Sequence, residues 1–199
     1  SVTNAGGLGV IETSSGEVDI CKEEIKKMSD LTENPFGVNL PILFLKDESL
    51  VDFVAECGVK FVTTSAGSPA KYINKLKGAG LTVYHAVPSL AGALKAAEAG
   101  VDGLVVEGTE GGGFKSPEEV GLFVLIQAIR KKVDLPIIAA GGIADGQGMA
   151  AAFAVGAEGI QMGTRFVSSQ ESPVHENWKN AILNGTESDT YVLNKTGSP

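Results

Sequence analysis

Hydrophobic residues along this chain fall into short runs rich in valine, isoleucine and threonine, separated by longer segments in which they recur every three or four positions. The short runs are typical of buried strands, and the longer segments are typical of helices that cover a parallel sheet. Gly58, Gly80 and Gly100 each follow a helical segment and precede a strand, where a helix commonly ends in the left-handed conformation. We predict strands over residues 8–11, 36–39, 61–64, 82–86, 103–107, 137–140 and 159–162.

Helices are predicted between and after these strands, and several of their starts carry capping residues. Ser68 and Ser116 each precede a proline, which fits a capping hydroxyl before the first helical position. Ser116 and Glu119 also have the spacing of a capping box, and Asp145 is placed to cap the helix that follows it. The predicted helices cover residues 22–29, 49–57, 69–79, 90–99, 117–132, 146–155 and 174–183.

The number of predicted strands favours one fold class. Strands that alternate with helices indicate an α/β protein with a parallel sheet, and a TIM-type (β/α)8 barrel has eight such strands in about 250 residues. Seven strands are predicted here, in 199 residues. We therefore predict a single domain over residues 1–199, a (β/α)8 barrel whose first strand lies upstream of residue 1. An open doubly wound sheet is the alternative.

Glycine-rich turns follow the last two predicted strands and distinguish these folds. Gly141 and Gly142 follow one strand, and Gly163 and Thr164 follow the next. In TIM barrels a phosphate often lies on the loops after strands seven and eight, held by backbone N–H groups and a helix N-terminus. Tight turning alone would also explain these glycines, but two such loops at the expected places favour a bound phosphate.

Composition and charge exclude several partners. The net charge is −8 and the pI about 4.8, which argues against nucleic acid because a phosphate backbone attracts a basic surface. No apolar run approaches the roughly 20 residues of a membrane span, so no membrane partner is predicted. Cys21 and Cys57 fit neither a metal-ligand spacing nor a disulfide framework. We expect two free thiols in a reducing, cytoplasmic compartment, with no metal; a homodimer is left open.

The segment GTEGGGFKSPEEV, residues 108–120, raises a question about chemistry. A run of glycines loses much conformational entropy on folding, so an ordered run indicates a sharp turn or a close approach to a ligand. The segment leaves the end of a predicted strand, which is the catalytic face of such a barrel. At that end Glu107 should be hydrogen-bonded or face a ligand, because burial of an unpaired carboxylate is costly. Of these two alternatives we favour a Glu107 carboxylate that faces a ligand.

Five motifs occur in order along the chain: AGGLGVI, PFGVN, VTTSAG, AAGGIADG and MGTRF. Together they resemble the nitronate monooxygenases and the flavin-dependent enoyl-acyl carrier protein reductase II, which shares their layout. The resemblance covers the chain from Asn4 to about Pro199. It implies a (β/α)8 barrel that binds FMN non-covalently, with a first strand before this chain and a further helical segment after it.

The resemblance also implies positions for the cofactor. The phosphate would lie on Gly141, Gly142, Gly163 and Thr164, and Asn39 would lie near the flavin ring. The glycines of the 108–120 segment would let the backbone pass close to the flat ring. The remaining residues expected at the FMN site are Thr64, Glu107, Gly112, Gly113 and Ile143.

One position departs from the family pattern. The commoner members have a histidine after the glycine pair, thought to act as the base, and this chain has Phe114 there. A phenylalanine ring can pack or shape a pocket but cannot transfer a proton. Lys115 is the first substitute, because a partly desolvated lysine can act as acid or base or hold an anion. His85 is the second, although strand alternation can equally turn it towards a helix.

Three functions follow from these observations. The first is an FMN-dependent oxidoreductase that oxidises alkyl nitronates or related small molecules with oxygen. The second is an enoyl reductase of the same family that takes electrons from NAD(P)H. The third is a non-catalytic remnant that binds FMN or a phosphate as a ligand only.

Overall fold

The computed structural model describes residues 2–14, 17–113 and 116–192. In this part of the chain seven strands form one sheet, and their order in the sheet is their order in the sequence. No described helix is long and apolar enough to cross a membrane. The strands are β1 Val10–Glu12, β2 Gly37–Pro41, β3 Phe61–Ser65, β4 Thr82–Val87, β5 Gly103–Glu107, β6 Ile137–Ala140 and β7 Gly159–Gln161.

Eight α-helices lie within the described residues. They are α1 Val18–Leu31, α2 Ser49–Glu56, α3 Ile73–Gly78, α4 Leu90–Ala99, α5 Leu122–Arg130, α6 Gly146–Ala154, α7 Thr164–Val167 and α8 Glu176–Asn184. Three short 3-10 helices cover Thr3–Ala5, Ile42–Phe44 and Pro69–Lys71. The chain divides into two compact units, and the boundary falls within β5. Unit 1 comprises residues 1–87 and 91–105, and unit 2 comprises residues 88–90 and 106–199.

In unit 1 the parallel strands β2 to β4 bury one face under helices. Val38 pairs with Val62, and Val62 pairs with Val83, so that these side chains form one row across β2, β3 and β4. All three are fully buried, as are Val51 and Val54 of α2. Because successive residues of a strand point to opposite faces, Leu40, Thr64 and His85 lie on this same helix-covered face. Asn39, Thr63 and Tyr84 lie on the other.

In unit 2 the helix α5 carries an apolar stripe. Leu122, Leu125, Ile126 and Ile129 have helical spacing, and each is at most 2% exposed. At the end of the same helix the Arg130 side chain donates from Nε to the Gly156 carbonyl at 2.9 Å and from Nη1 to the Leu135 carbonyl at 2.8 Å. It also forms an ion pair with Glu158. Arg130 thus ties α5 to the segments that lead into β6 and β7.

The predicted strands are confirmed, with shifts of one or two residues at some ends, and three helix starts were wrong. The helix predicted from residue 22 begins at Val18. The helix predicted from residue 117 begins at Leu122, and Ser116 bonds Glu118 instead of capping a helix. Glu119 has φ +46°, a left-handed conformation that interrupts a helix there. The helix predicted from residue 69 starts as a 3-10 turn, and the Ser68 hydroxyl makes no cap bond. The α7 helix was not predicted.

Candidate functional site

The strands β6 and β7 are neighbours whose last residues, Ala140 and Gln161, pair with each other. The turns that follow these two strands therefore begin side by side. Gly141 and Gly142 have φ of +106° and +67°, which explains glycine at both positions. Asp145 caps α6, since its Oδ1 accepts the Gly148 N–H at 2.9 Å as predicted. These two turns are the ones in which the sequence predicted a phosphate site.

Gly163 differs from the other glycines of these turns. Its φ of −104° can be adopted by any residue, and no described residue other than its chain neighbours lies within 4 Å of a Cβ built on it. Gly163, Thr164 and Gly142 are all exposed. Neither backbone conformation nor crowding by described residues therefore requires glycine at 163, and its main chain is open to an approaching group. An anion can use such exposed backbone N–H groups, so the residues present fit a flavin phosphate.

The glycine-rich segment after β5 packs against the turn after β6. The Gly108 N–H donates to the Ala140 carbonyl at 3.0 Å, and the Gly111 N–H donates to the Gly108 carbonyl at 3.1 Å. A Cβ at Gly141 would lie 2.8 Å from the Gly111 nitrogen, which is too close. The glycines at these positions thus serve the contact between two turns. A Cβ at Gly112 or Gly113 would meet no atom of the described residues within 4 Å, chain neighbours aside, and Gly113 has φ +89°.

Glu110 has a role that the sequence did not reveal. Both of its carboxylate oxygens accept the Leu122 N–H, at 3.1 and 3.0 Å. A negative charge at the first turn of a helix is favourable. Glu110 therefore caps α5 from twelve residues upstream and closes the 110–122 loop. The spacing of this pair offers no local signal by which a sequence reading could have found it.

Glu107 lines a small pocket at the end of β5. The pocket holds about 10 Å³, room for roughly one water molecule. Its polar lining includes Thr109, Ser116 and Glu119. Ile143, another residue of the predicted FMN site, is 7% exposed and packs into the core of unit 2. Phe114 and Lys115, on which the acid–base prediction depends, lie outside the described residues.

His85 is enclosed on the helix-covered face of unit 1. It is 5% exposed, and its Nδ1 lies 2.8 Å from the Thr64 hydroxyl. Burial lowers the pKa of His85 from 6.5 to about 4, while hydrogen bonds to the Thr64 and Gly67 backbone act in the opposite direction. The imidazole is therefore neutral at neutral pH. Thr64, predicted at the FMN site, is 1% exposed, and its hydroxyl is occupied by this contact.

A second set of polar side chains lies on the other face of unit 1. Glu12, Asn39 and Thr63 occupy paired positions on β1, β2 and β3. The Thr63 hydroxyl donates to Asn39 Oδ1 at 2.9 Å, and Asn39 Nδ2 donates to Glu12 Oε1 at 3.4 Å. The sequence identified Asn39 but missed its two partners. Strand alternation could have found Thr63, since only one of two adjacent threonines shares the face of Asn39.

No group of three or more metal-ligating side chains occurs in the ranges 2–14, 17–113 and 116–192. Cys21 is buried and Cys57 half-buried, and no disulfide joins them. Unit 1 therefore offers a hydrogen-bonded amide and a neutral histidine, on opposite faces of its sheet. Unit 2 offers two exposed glycine turns and a carboxylate-lined pocket.

Comparison with known proteins places this arrangement in a family. The family model described as nitronate monooxygenase matches residues 44–198. The (3aS,4S,5R,7aS)-5-hydroxy-7a-methyl-1-oxo-octahydro-1H-indene-4-carboxyl-CoA dehydrogenase of Rhodococcus jostii is 36% identical over 192 residues, 96% of this chain and 54% of that protein. A probable nitronate monooxygenase of Staphylococcus saprophyticus is 30% identical over 245 residues, which take in 100% of this chain and 69% of that protein.

Solved structures with the same fold lead to the same conclusion. FabK from Thermotoga maritima matches with a TM-score of 0.92 and 44% identity, over 97% of this chain and 61% of FabK. The nitroalkane oxidase of Streptomyces ansochromogenes matches with a TM-score of 0.82 and 28% identity, over 90% of this chain and 64% of the oxidase. The chain thus spans between about half and two thirds of these relatives, and the predicted α/β class of TIM-barrel type is confirmed. The chain belongs to the nitronate monooxygenase family, whose members are oxidoreductases.

Proposed function

We propose that the chain is the FMN-binding part of a flavin-dependent oxidoreductase. The observation that carries this proposal is Gly163, an exposed glycine that neither its φ nor its neighbours require. The phosphate would be held by the backbone of Gly141, Gly142, Gly163 and Thr164. When bound, FMN supplies the two-electron chemistry that side chains cannot perform. The protein supplies position and electrostatics.

The other residues expected at the flavin are proposed with different roles. Asn39 is half-buried and retains hydrogen-bonding capacity for a ligand. Glu107 is the last residue of β5, and Gly112 and Gly113 lie exposed in the segment after it. We propose that these three residues border the flavin. Ile143, in the turn between β6 and α6, and Thr64, near the end of β3, are enclosed by protein. We therefore propose that they support the FMN site through packing and do not contact the flavin.

For proton transfer we favour Lys115 over His85. The imidazole of His85 is enclosed, hydrogen-bonded to Thr64 and Gly67, and has a pKa near 4. A base with so low a pKa takes up a proton weakly at neutral pH. Lys115 takes this role by position, next to the site where other family members have histidine.

Of the two reactions that the resemblance implied, we favour reduction of an enoyl thioester with electrons from NAD(P)H. Identity to FabK, the enoyl reductase of this family, is 44%, against 30% and 28% for the nitronate monooxygenase and nitroalkane oxidase relatives. The Rhodococcus relative, 36% identical over 192 residues, is by its name a dehydrogenase of a carboxyl-CoA compound. Oxidation of alkyl nitronates with oxygen is the second candidate, supported by the family model.

The first experiment is an absorption spectrum of the purified chain with and without added FMN. We expect flavin bands that stay with the protein through gel filtration. The Gly163→Val variant covers the exposed turn and should weaken FMN binding by at least about tenfold. Gly78→Val is the matched control, because it also points into open space but lies at the end of α3.

Turnover then separates the two reactions. Oxidation of NAD(P)H that depends on an enoyl thioester supports the favoured one, and oxygen consumption with an alkyl nitronate supports the other. A chain that retains FMN but turns over neither substrate corresponds to the non-catalytic remnant. A chain that takes up no FMN refutes the proposed function.

A further inference from the structure

The carboxamide of Asn39 is held from both sides. Thr63 Oγ1 donates to Asn39 Oδ1 at 2.9 Å, and Asn39 Nδ2 reaches Glu12 Oε1 at 3.4 Å. Glu12 is itself fixed, because its carboxylate accepts the Ser14 N–H at 2.9 and 2.8 Å and the Ser14 hydroxyl at 2.6 Å. The three strands that carry these residues are parallel neighbours with Glu12, Asn39 and Thr63 in register.

The chemistry of these partners allows only one orientation of the amide. An ionised carboxylate has acceptors and no donor, so the side of Asn39 that faces Glu12 must carry the NH2 group. The carbonyl oxygen then faces Thr63, whose hydroxyl donates to it. A flipped amide would place its oxygen against the Glu12 carboxylate, where two acceptors would repel each other.

The fixed orientation leaves a defined group unused. An asparagine NH2 has two hydrogens, and Glu12 takes one of them. We call Thr63 and Glu12, which hold the Asn39 amide between them, the clamp. Thr63 is 4% exposed and Asn39 is half-buried, so the Asn39 amide remains accessible. The second N–H of Asn39 is therefore available to an acceptor atom of a bound molecule.

We propose that Thr63 and Glu12 are positioning residues that fix Asn39 as a hydrogen-bond donor towards an acceptor atom of FMN. This inference rests on the proposed function. Neither residue needs to touch the flavin, because each acts through the orientation of the Asn39 amide. Without the clamp the amide can flip, and it then presents its oxygen to the same acceptor atom.

The test compares variants that differ in one hydrogen bond. Thr63→Val removes the donor with little change in shape, whereas Thr63→Ser retains it. Glu12→Gln keeps the size but adds a donor, so it tolerates the flipped amide. Thr82→Val is the matched control, since it removes a threonine hydroxyl from the exposed start of β4.

Two readouts separate this inference from the proposed function. In FMN-free protein the side-chain NH2 signals of Asn39, assigned by their loss in Asn39→Asp, should shift or broaden in Thr63→Val and Glu12→Gln but not in Thr63→Ser. FMN affinity should fall about fivefold in Thr63→Val and in Glu12→Gln, and should stay within about twofold of wild type in Thr63→Ser and Thr82→Val.

The possible failures are distinct. If Thr63→Val binds FMN as wild type does, or if Thr63→Ser loses as much affinity as Thr63→Val, the positioning role is overturned while the proposed function stands. If the wild-type chain binds no FMN, both fail. The NMR signals would then report only whether the clamp itself exists.

Discussion

His85 should make the stability of this chain depend on pH, and the perturbation is acidification from pH 7 to pH 5. Burial lowers the pKa of the folded-state imidazole from 6.5 to about 4. The unfolded chain, whose histidine keeps the ordinary pKa, therefore binds the proton more tightly than the folded chain. The contribution of His85 is fully present above about pH 6.5 and is lost as the pH falls towards 4.

The magnitude follows from the two pKa values. Each pH unit of difference is worth about 1.4 kcal/mol, so the interval between 6.5 and about 4 corresponds to about 3 kcal/mol in all. By pH 5 about 2 kcal/mol of this is lost. A loss of this size is a large share of the 5–15 kcal/mol that is typical of a folded domain.

Guanidinium unfolding followed by circular dichroism at pH 7, 6 and 5 measures the effect. His85→Gln keeps an amide that can bond Thr64 and Gly67 but removes the titrating group. We expect its free energy of unfolding to fall by about 2 kcal/mol less than that of wild type between pH 7 and pH 5. His175→Gln removes the only other histidine and retains His85, so it should keep the wild-type loss. Equal pH dependence in wild type and His85→Gln would refute the reasoning.

Two further predictions concern the glycine-rich segment and the turn that it contacts. Glu110→Ala removes the cap of α5 and should lower the free energy of unfolding by about 1 kcal/mol, whereas Glu110→Gln should retain most of it; unchanged denaturation midpoints in both would contradict the capping role. Gly141→Ala forces a Cβ to within 2.8 Å of the Gly111 nitrogen at φ +106° and should cost about 2 kcal/mol or more. Gly146→Ala, which meets open space at the start of α6, should stay within about 0.5 kcal/mol of wild type in the same denaturation assay.

Sequence reasoning predicted the elements whose signals are local. β5, β6 and α4 have the predicted bounds, because β-branched runs and helix-ending glycines mark them directly. The start of α5 was missed because its cap comes from Glu110, across a loop that no short-range pattern describes. Ser116 looked like a cap by spacing, but the left-handed φ of Glu119 excludes a helix there.

The candidate site was predicted in part for a similar reason. The glycines after β6 and β7 could be found as motifs in the sequence. Positive φ angles require glycine in the turn after β6, and Gly163 lies exposed in the turn after β7. The partners of Asn39 depend on strand register, which pairs residues that are 24 and 27 positions apart. The motif VTTSAG predicted Thr64 at the flavin, and Thr63 is the threonine that pairs with Asn39 in the sheet. A motif gives the residue type but not the face on which it lies.

The order of the strands also bears on how the chain is made. Each strand lies beside the one that precedes it in the sequence, so no pairing waits for a distant segment. A ribosome adds about 5–20 residues per second, whereas short loops close in about a microsecond or less. Each newly emerged strand therefore has ample time to find a neighbour that is already in place. Unit 1, which ends at residue 105, has all its residues before β6 is synthesised, so its polar clamp around Asn39 can form while the glycine turns of unit 2 are still being translated.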